Sequence, residues 1–283
     1  MKHDDPQWLE QMYNNRSRVP DYATHFERWA SESERVRRTR THVLDIAYGP
    51  SAGQKLDVFP ASAPNSPVVV FIHGGYWRSL DKREHAFVAP AFSDAGACVV
   101  IPNYDLCPHV SLPEIVMQMV RALAWTWKNA TRYGGDPQRI RVAGHSAGGH
   151  LAAMMLACLW SDYDAQLPHD LVKRALSVSG LFDLEPVRRT PSLQASLNLT
   201  PEQVQRVSPA LMPAPRHGQL ASVVGGSESM EFIRHNDMIR RAWGWRRVPV
   251  CEALPGLNHF SVVEAITQPD HRLNRLARDL VAG

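Results

Sequence analysis

The sequence lacks an apolar run long enough to span a membrane. Its longest near-unbroken apolar stretch covers about ten residues, Leu151 to Trp160, whereas a transmembrane helix needs roughly 18 or more. The opening residues, MKHDDPQWLE, are polar and have no apolar core, so they do not resemble a secretory signal. These absences predict a cytoplasmic protein without a membrane partner.

Cysteine is scarce, and no two cysteines have CxxC spacing. The four are Cys98, Cys107, Cys158 and Cys251. This spacing argues against a zinc knuckle. Cys98 and Cys251 lie in strand-like runs and Cys158 lies in an apolar helix-like run, which is typical of small buried side chains in a reducing compartment. The sequence implies no metal and no organic cofactor.

The chain also lacks a large excess of either charge. It has 31 Lys and Arg residues against 28 Asp and Glu residues, a formal net charge of +3 at pH 7. Nucleic-acid binders usually carry a concentrated basic face. Two short arginine clusters, within 35–40 and 240–247, favour solvated helix faces, with an anionic ligand or partner surface as the alternative. We expect a small-molecule substrate and no nucleic acid partner, and we leave a homodimer open.

What the chain does contain is an alternation of strand-like and helix-like segments. Its 283 residues are 44% hydrophobic and 21% charged, which excludes disorder, a coiled coil and a collagen-like rod. THVLDIAYG (41–49) and KLDVFPAS (55–62) flank a turn and predict an antiparallel hairpin. PVVVFIHGG (67–75) is a continuous apolar run, typical of a strand buried on both faces. Further strand-like runs follow at 97–106, 140–144, 174–180, 220–226 and 248–254.

This alternation predicts an α/β fold with a mostly parallel central sheet, helices on both faces and an antiparallel N-terminal hairpin. Residues 1–40 combine several aromatic residues with many charges, and we interpret them as an N-terminal helical cap segment on a main domain of 41–283. Residues 185–219 hold six prolines and no strand-like run. We expect this Pro-rich excursion to cross the C-terminal edge of the sheet, where ligands bind in such folds.

The pattern G-x-S-x-G occurs at Gly144-His145-Ser146-Ala147-Gly148, between a strand-like run and a helix-like run. A serine on a sharp turn in this context projects its hydroxyl from the sheet edge, and the flanking glycines remove Cβ atoms that would collide across the turn. The pattern predicts Ser146 as a nucleophile. The alternative is an ordinary Ser-Gly turn that enters a helix.

A serine nucleophile needs a base, and His259 is the strongest candidate. It lies in a loop after the last strand-like run, which reaches the same sheet edge as Ser146. The alternative is a loop histidine that binds backbone carbonyls. His145 and His150 flank the serine, but their side chains do not easily turn back to it. The remaining histidines in polar segments are interpreted as surface residues: His42, His85, His217, His235 and His271.

The third member must be a carboxylate that orients the imidazole. Glu228 directly follows the strand-like run LASVVGG, and the chain order Ser146, Glu228, His259 is the order expected for α/β-hydrolases. Asp183 also follows a strand-like run and is the rival, with Asp237 and Glu231 behind it. For Glu228 the alternative role is a carboxylate near the start of the next helix.

Donors for a developing oxyanion are predicted at the end of the run PVVVFI. The tandem glycines Gly74 and Gly75 let backbone N–H groups approach a ligand closely, and the N–H of Ala147 completes the set. A turn without further role is the alternative. Tyr76 and Trp77 are then expected to stand beside the reacting carbonyl as substrate-binding residues, with a core position for Trp77 equally open.

Four segments together resemble the arylformamidase (kynurenine formamidase) branch of the α/β-hydrolases, a relative of the hormone-sensitive-lipase-like esterases. They are HGGYW (73–77), GHSAGGHLAAMML (144–156), SGLFDLEP (179–186) and NHFSVVE (258–264). The resemblance implies the α/β-hydrolase fold and hydrolysis of N-formylkynurenine in tryptophan breakdown. It also implies a triad of Ser146, Glu228 and His259 with donors from Gly74, Gly75 and Ala147. Two positions depart from the relatives: Glu228 stands for an Asp, and Asn258 replaces an Asp before the histidine.

Three hypotheses follow. The first is a serine hydrolase of an aryl formamide, with Arg16 holding the substrate's amino-acid carboxylate. The second is a broad-specificity carboxylesterase acting on small-acyl esters with the same residues. The third is a binding protein that has lost catalysis, which the presence of all three triad positions disfavours.

Overall fold

One eight-stranded sheet runs through the computed structural model, which describes residues 5–283. The strand order is β1-β2-β4-β3-β5-β6-β7-β8. The strands are β1 (Val43–Ala47), β2 (Lys55–Phe59), β3 (Ser66–Ile72), β4 (Cys98–Pro102), β5 (Gly135–His145), β6 (Arg174–Val178), β7 (Gln219–Gly225) and β8 (Val250–Leu254). β1 and β2 pair antiparallel, β2 pairs antiparallel with β4, and the sheet from β4 through β8 is parallel.

Helices surround the sheet and connect its strands. The α-helices are α1 (Pro6–Tyr13), α2 (Asn15–Arg18), α3 (Tyr22–Thr39), α4 (Ala89–Ser93), α5 (Leu112–Asn129), α6 (Ala147–Ala157), α7 (Trp160–Tyr163), α8 (Glu185–Arg188), α9 (Pro191–Leu197), α10 (Pro201–Val207), α11 (Met230–Trp243), α12 (Ser261–Glu264) and α13 (Arg272–Ala282). Short 3₁₀ stretches lie at Lys82–Val88, Ala130–Tyr133, Pro209–Leu211 and Ala265–Thr267.

Two apolar clusters cover the two faces of the sheet. Successive side chains of a strand point to opposite faces, and β3 shows this directly: Val68, Val70 and Ile72 lie in one cluster, whereas Val69 and Phe71 lie in the other. Helices α5 and α6 contribute to the first cluster, and α3, α4 and α13 contribute to the second. This arrangement confirms the predicted α/β fold with its antiparallel N-terminal hairpin.

The Pro-rich stretch forms short helices because its prolines stand where helices begin. Each of α8, α9 and α10 has a proline at its first or second position, where the missing N–H costs nothing. Helix α9 meets the N-terminal helices: the backbone N–H of Ser192 donates to Glu10 of α1 at 3.0 Å. The two segments therefore lie side by side.

Helix α3 is fastened to the main body through one carboxylate. Glu264 accepts hydrogen bonds from Arg28 at 2.8 Å and from Trp29 Nε1 at 3.0 Å, and its Oε1 lies 2.8 Å from His25 Nδ1. These contacts hold α3 against α12.

No helix within residues 5–283 is both long and apolar enough to cross a bilayer.

The four cysteines are free: Cys98 and Cys107 are buried. Cys158 and Cys251 are only half-buried, so the prediction of buried side chains was wrong for these two. Cys158 directly follows the last residue of α6, where the chain emerges from the core.

Candidate active site

Ser146 occupies a strained turn between β5 and α6. Its backbone has φ 57° and ψ −118°, a conformation that non-glycine residues rarely adopt. The neighbouring strand supports it, since the Ser146 N–H donates to the Val178 carbonyl at 2.8 Å. A Cβ at Gly148 would lie 1.9 Å from the Ile72 carbonyl oxygen, and one at Gly144 would lie 2.2 Å from the Gly148 oxygen. The glycines of the motif are therefore required by backbone crowding around the serine.

The structure brings Ser146, His259 and Glu228 into one hydrogen-bonded chain. His259 Nε2 lies 3.0 Å from Ser146 Oγ, and His259 Nδ1 lies 2.6 Å from Glu228 Oε2. Because a carboxylate only accepts, Nδ1 carries the proton and Nε2 is left to accept from the serine hydroxyl. All three residues are buried, with 2%, 5% and 8% exposure for Ser146, His259 and Glu228.

Glu228 is held by donors other than the histidine. Its Oε1 accepts from the backbone N–H of Gly225 at 2.7 Å and from the Ser179 hydroxyl. The rival carboxylates lie elsewhere. Asp183 accepts from the Glu185 N–H at 3.1 Å, Glu231 is paired with Arg234, and Asp237 is exposed on α11.

His145 supports the loop that carries the proposed base, a contact that the sequence did not suggest. Its Nε2–H donates to the carbonyl of His259 at 2.8 Å. Burial, with the neighbouring histidines, lowers the pKa of His145 well below its usual value, so the ring is neutral. The Phe232 ring also packs against the His259 ring, with 4.5 Å between the ring centres. His259 is therefore contacted both at its backbone carbonyl and at its imidazole.

The interpretation of His85 and His235 as surface residues was wrong, since both are fully buried. Burial and nearby His73 lower the pKa of His85 to about 3. His235 Nδ1 accepts from the Phe182 N–H at 3.1 Å, and its Nε2 lies 2.9 Å from the phenolic oxygen of Tyr13. For His235, local polarity misled the prediction because the groups that pair with its ring come from distant parts of the chain.

The loop after β3 runs directly against the nucleophile. A Cβ at Gly74 would lie 2.9 Å from the His145 carbonyl and 3.2 Å from Ser146 Cβ. Gly75 has φ 110°, and Tyr76 and Trp77 follow with φ 50° and 54°. Ala147 is the first residue of α6, where backbone N–H groups have no partner within the helix. Gly74 and Ala147 thus lie next to Ser146, and Gly75 lines the same cavity. The role of the three residues as oxyanion donors stays a prediction.

A cavity of about 180 Å³ opens over Ser146 and His259. The N-terminal helices supply much of its wall, including Arg16, Phe26 and Trp29. Tyr76 lines the cavity as well, and its hydroxyl donates to the Tyr13 carbonyl at 2.7 Å. Residues from the first 40 therefore cover the site.

Trp77 does not reach this cavity. Its side chain is 0% exposed and belongs to the core, where its ring meets His150 edge-on at 5.0 Å. Of the three expected substrate contacts, Tyr76 and Arg16 line the cavity and Trp77 does not. Asn15 and Arg78 also line it, and sequence reasoning had missed both. Within residues 5–283, no three His, Cys, Asp or Glu side chains converge in a way that could hold a metal ion.

Comparison with known proteins places this geometry in a family. The BD-FAE family model matches residues 56–196. A kynurenine formamidase of Danio rerio is 30% identical over 265 residues, which cover 91% of this chain and 88% of the relative. The chain belongs to the kynurenine formamidase family.

Some esterases are also similar to this chain. Esterase LipQ of Mycobacterium tuberculosis is 35% identical over 159 residues, which cover 52% of this chain and 37% of that protein. A solved structure from Silicibacter sp. TM1040, described provisionally as a thioesterase, superposes with a TM-score of 0.84 at 28% identity and covers 97% of this chain and 99% of its own. The protein is thus an α/β-hydrolase enzyme that acts on formamide or ester substrates, as the sequence predicted.

Proposed function

We propose that this protein hydrolyses N-formylkynurenine to kynurenine and formate through a formyl-enzyme intermediate. One observation carries the proposal: His259 bridges the Ser146 hydroxyl and the Glu228 carboxylate, at 3.0 Å and 2.6 Å. Ser146 is the nucleophile, His259 the general base and acid, and Glu228 the carboxylate that stabilises the charged imidazole. The family relatives support the formamide as the substrate.

In the first half of the reaction, His259 Nε2 takes the hydroxyl proton while Ser146 Oγ attacks the formyl carbon. The carbonyl oxygen becomes an oxyanion, and the N–H groups of Gly74, Gly75 and Ala147 are the proposed donors to it. His259 then gives its proton to the aniline nitrogen, the C–N bond breaks, and kynurenine leaves. Formyl remains as an ester on Ser146.

In the second half of the reaction, a water molecule takes the place of the departed amine and attacks the formyl ester, with His259 again as base and then acid. His259 takes a proton from water, whose oxygen attacks the formyl ester. The second oxyanion collapses, Ser146 leaves with the proton returned by His259, and formate is released. No oxidant, metal or cofactor enters either step.

The cavity wall fits an aromatic leaving group. Three aromatic side chains, Phe26, Trp29 and Phe260, line it together with Tyr76. Aromatic faces pack on aromatic ligands at distances of roughly 4.5 to 7 Å between ring centres. Gly75 and Tyr76 line the cavity as well, and we propose that they limit the acyl part of the substrate to a small group such as formyl.

A carboxylesterase is the second candidate, since ester and formamide hydrolysis share this machinery and esterase LipQ is a relative. Comparing kcat/KM for N-formylkynurenine and for short p-nitrophenyl esters separates the two. A preference for the esters of more than about tenfold, roughly 1.4 kcal/mol of transition-state binding, would favour the esterase.

The direct test of the catalytic proposal is Ser146→Ala. We expect its turnover of N-formylkynurenine to fall by at least about three orders of magnitude. Thermal unfolding of the variant serves as the control for folding. Equal turnover by variant and parent would exclude serine catalysis. A role in tryptophan breakdown follows from the proposed substrate, and we separately propose a cytoplasmic location.

A further inference from the structure

The cavity over Ser146 is lined by two positive charges and by no carboxylate among the described residues. Arg16 and Arg78 both line it, and no Asp or Glu side chain is among the lining residues that the structure describes. The carboxylate of Glu10 lies near Arg78. That carboxylate is already bonded to Asn14 Nδ2 at 2.7 Å and to the Ser192 N–H at 3.0 Å.

Arg78 is anchored by neutral groups alone. Its Nη1 donates to the Ser192 carbonyl at 2.6 Å and to the Ser196 hydroxyl at 2.8 Å, and within residues 5–283 it forms no salt bridge. Burial and the charge of nearby Arg16 lower the pKa of Arg78. The guanidinium still stays protonated, so an anion beside it would relieve both effects.

Arg16 is positioned by aromatic rings instead of by a carboxylate. Its guanidinium lies 5.5 Å from the ring centres of Tyr22 and of Phe26. Such cation–π contacts orient a guanidinium and leave its N–H edge available to an acceptor.

Asn15 adds a donor that has no acceptor. The residue is 5% exposed and lines the same cavity, and its Nδ2 has no hydrogen-bond partner among the described residues. Buried polar groups are nearly always paired. An orphaned donor on the wall of a cavity therefore points to an acceptor supplied by the ligand.

From these observations we propose that Asn15, Arg16 and Arg78 form a carboxylate subsite, so that the enzyme selects aryl substrates that carry a negative charge. The aromatic side chains of the wall hold the ring, and the three donors hold the carboxylate by charge-assisted hydrogen bonds. The inference deepens the proposed function by naming the substrate class, and it is tested by binding without turnover.

The test compares two probes that differ by one charge, 4-oxo-4-phenylbutanoate and 4-oxo-4-phenylbutanamide, by isothermal titration calorimetry on the full chain. We expect the acid to bind the parent protein at least about tenfold more tightly than the amide. Equal affinities would overturn the proposal. Formate is titrated as well, and formate binding as tightly as the aryl acid would indicate a small-anion site and also overturn it.

Variants locate the effect. Arg16→Gln and Arg78→Gln are each expected to reduce the ratio of acid affinity to amide affinity to below about threefold. Asn15→Asp replaces the donor by a negative charge that repels the ligand carboxylate, so we expect it to abolish the preference for the acid. Arg78→Lys keeps the positive charge and should therefore keep part of the preference for the acid. It also provides a test if the Arg78→Gln protein does not fold. Arg206→Gln removes the same charge at an exposed residue of α10 that does not line the cavity, and it should leave the ratio unchanged.

The outcomes separate the two proposals. If Arg16→Gln and Arg78→Gln prefer the acid over the amide as strongly as the parent protein does, the subsite is refuted whatever the substrate is. A ratio that follows the variants, together with no turnover of N-formylkynurenine, would refute the proposed function and leave the subsite in place.

Discussion

Replacing Glu228 by Gln probes the proposed triad through its hydrogen bonds, because the two side chains have the same shape. In the parent, Oε1 accepts from the Gly225 N–H at 2.7 Å and from the Ser179 hydroxyl. The amide oxygen of glutamine must take that position, which turns its NH₂ group towards His259 Nδ1. Since an NH₂ group cannot accept, the histidine proton moves to Nε2, the atom that faces Ser146.

The wrong tautomer and the lost charge together set the size of the effect. The histidine can no longer accept the serine proton, and the imidazolium that forms during attack has no carboxylate beside it. Removing the same interaction in a serine protease lowers kcat by about 10⁴. We therefore expect a loss of about 10³ to 10⁴, or roughly 4 to 5.5 kcal/mol of transition-state stabilisation.

The assay is kcat for the best formamide or ester of a substrate panel, with thermal unfolding as the control for folding. Glu228→Asp keeps the charge on a shorter side chain and should lose only about 10- to 100-fold. Asp183→Asn changes the rival carboxylate in the same way and should retain the parent rate. A folded Glu228→Gln protein whose kcat falls less than tenfold would refute the role of Glu228. A large fall of kcat in Asp183→Asn would indicate that Asp183 is the carboxylate of the triad instead.

Three further substitutions test the surroundings of the site. Gly148→Ala places a Cβ 1.9 Å from the Ile72 carbonyl, so we expect a loss of stability of about 3 kcal/mol or more in denaturant unfolding; unchanged stability would contradict the crowding argument. Tyr76→Phe removes the hydrogen bond to α1 and should raise KM several-fold with little change in kcat, whereas an effect on kcat alone would argue against a binding role. His145→Phe keeps a ring but loses the donor to the His259 loop, and we expect kcat to fall about tenfold; a parent-like kcat would show that the contact does not position the base.

The fold was predictable because its strands carry strong local signals. The run of β3 is apolar throughout, and both of its faces are covered, as such a run predicts. Boundaries were less accurate. β5 was expected from residue 140 but begins at Gly135, because the polar residues 136–139 show no strand pattern. The helix-like run after Ser146 ends at Ala157, and α7 starts separately at Trp160.

The centre of the site could be anticipated from chain order and from strand ends, whereas its walls could not. Ser146, Glu228 and His259 each follow a strand, so a parallel sheet brings them to one edge. The covering of the cavity by the N-terminal helices depends on pairs such as Tyr13 with Glu231, whose hydroxyl and carboxylate lie 2.7 Å apart across 218 residues of sequence. Asn15 and Arg78 could not be predicted as cavity residues from the sequence, because such long-range contacts bring them to the cavity wall.

The most direct test of the central claim is covalent labelling with a fluorophosphonate, followed by peptide mass spectrometry to locate the adduct. The arrangement of Ser146 against His259 predicts a single adduct on Ser146, no adduct in Ser146→Ala and greatly slowed labelling in His259→Ala. An unlabelled parent protein, or an adduct on another residue that persists in Ser146→Ala, would contradict the account.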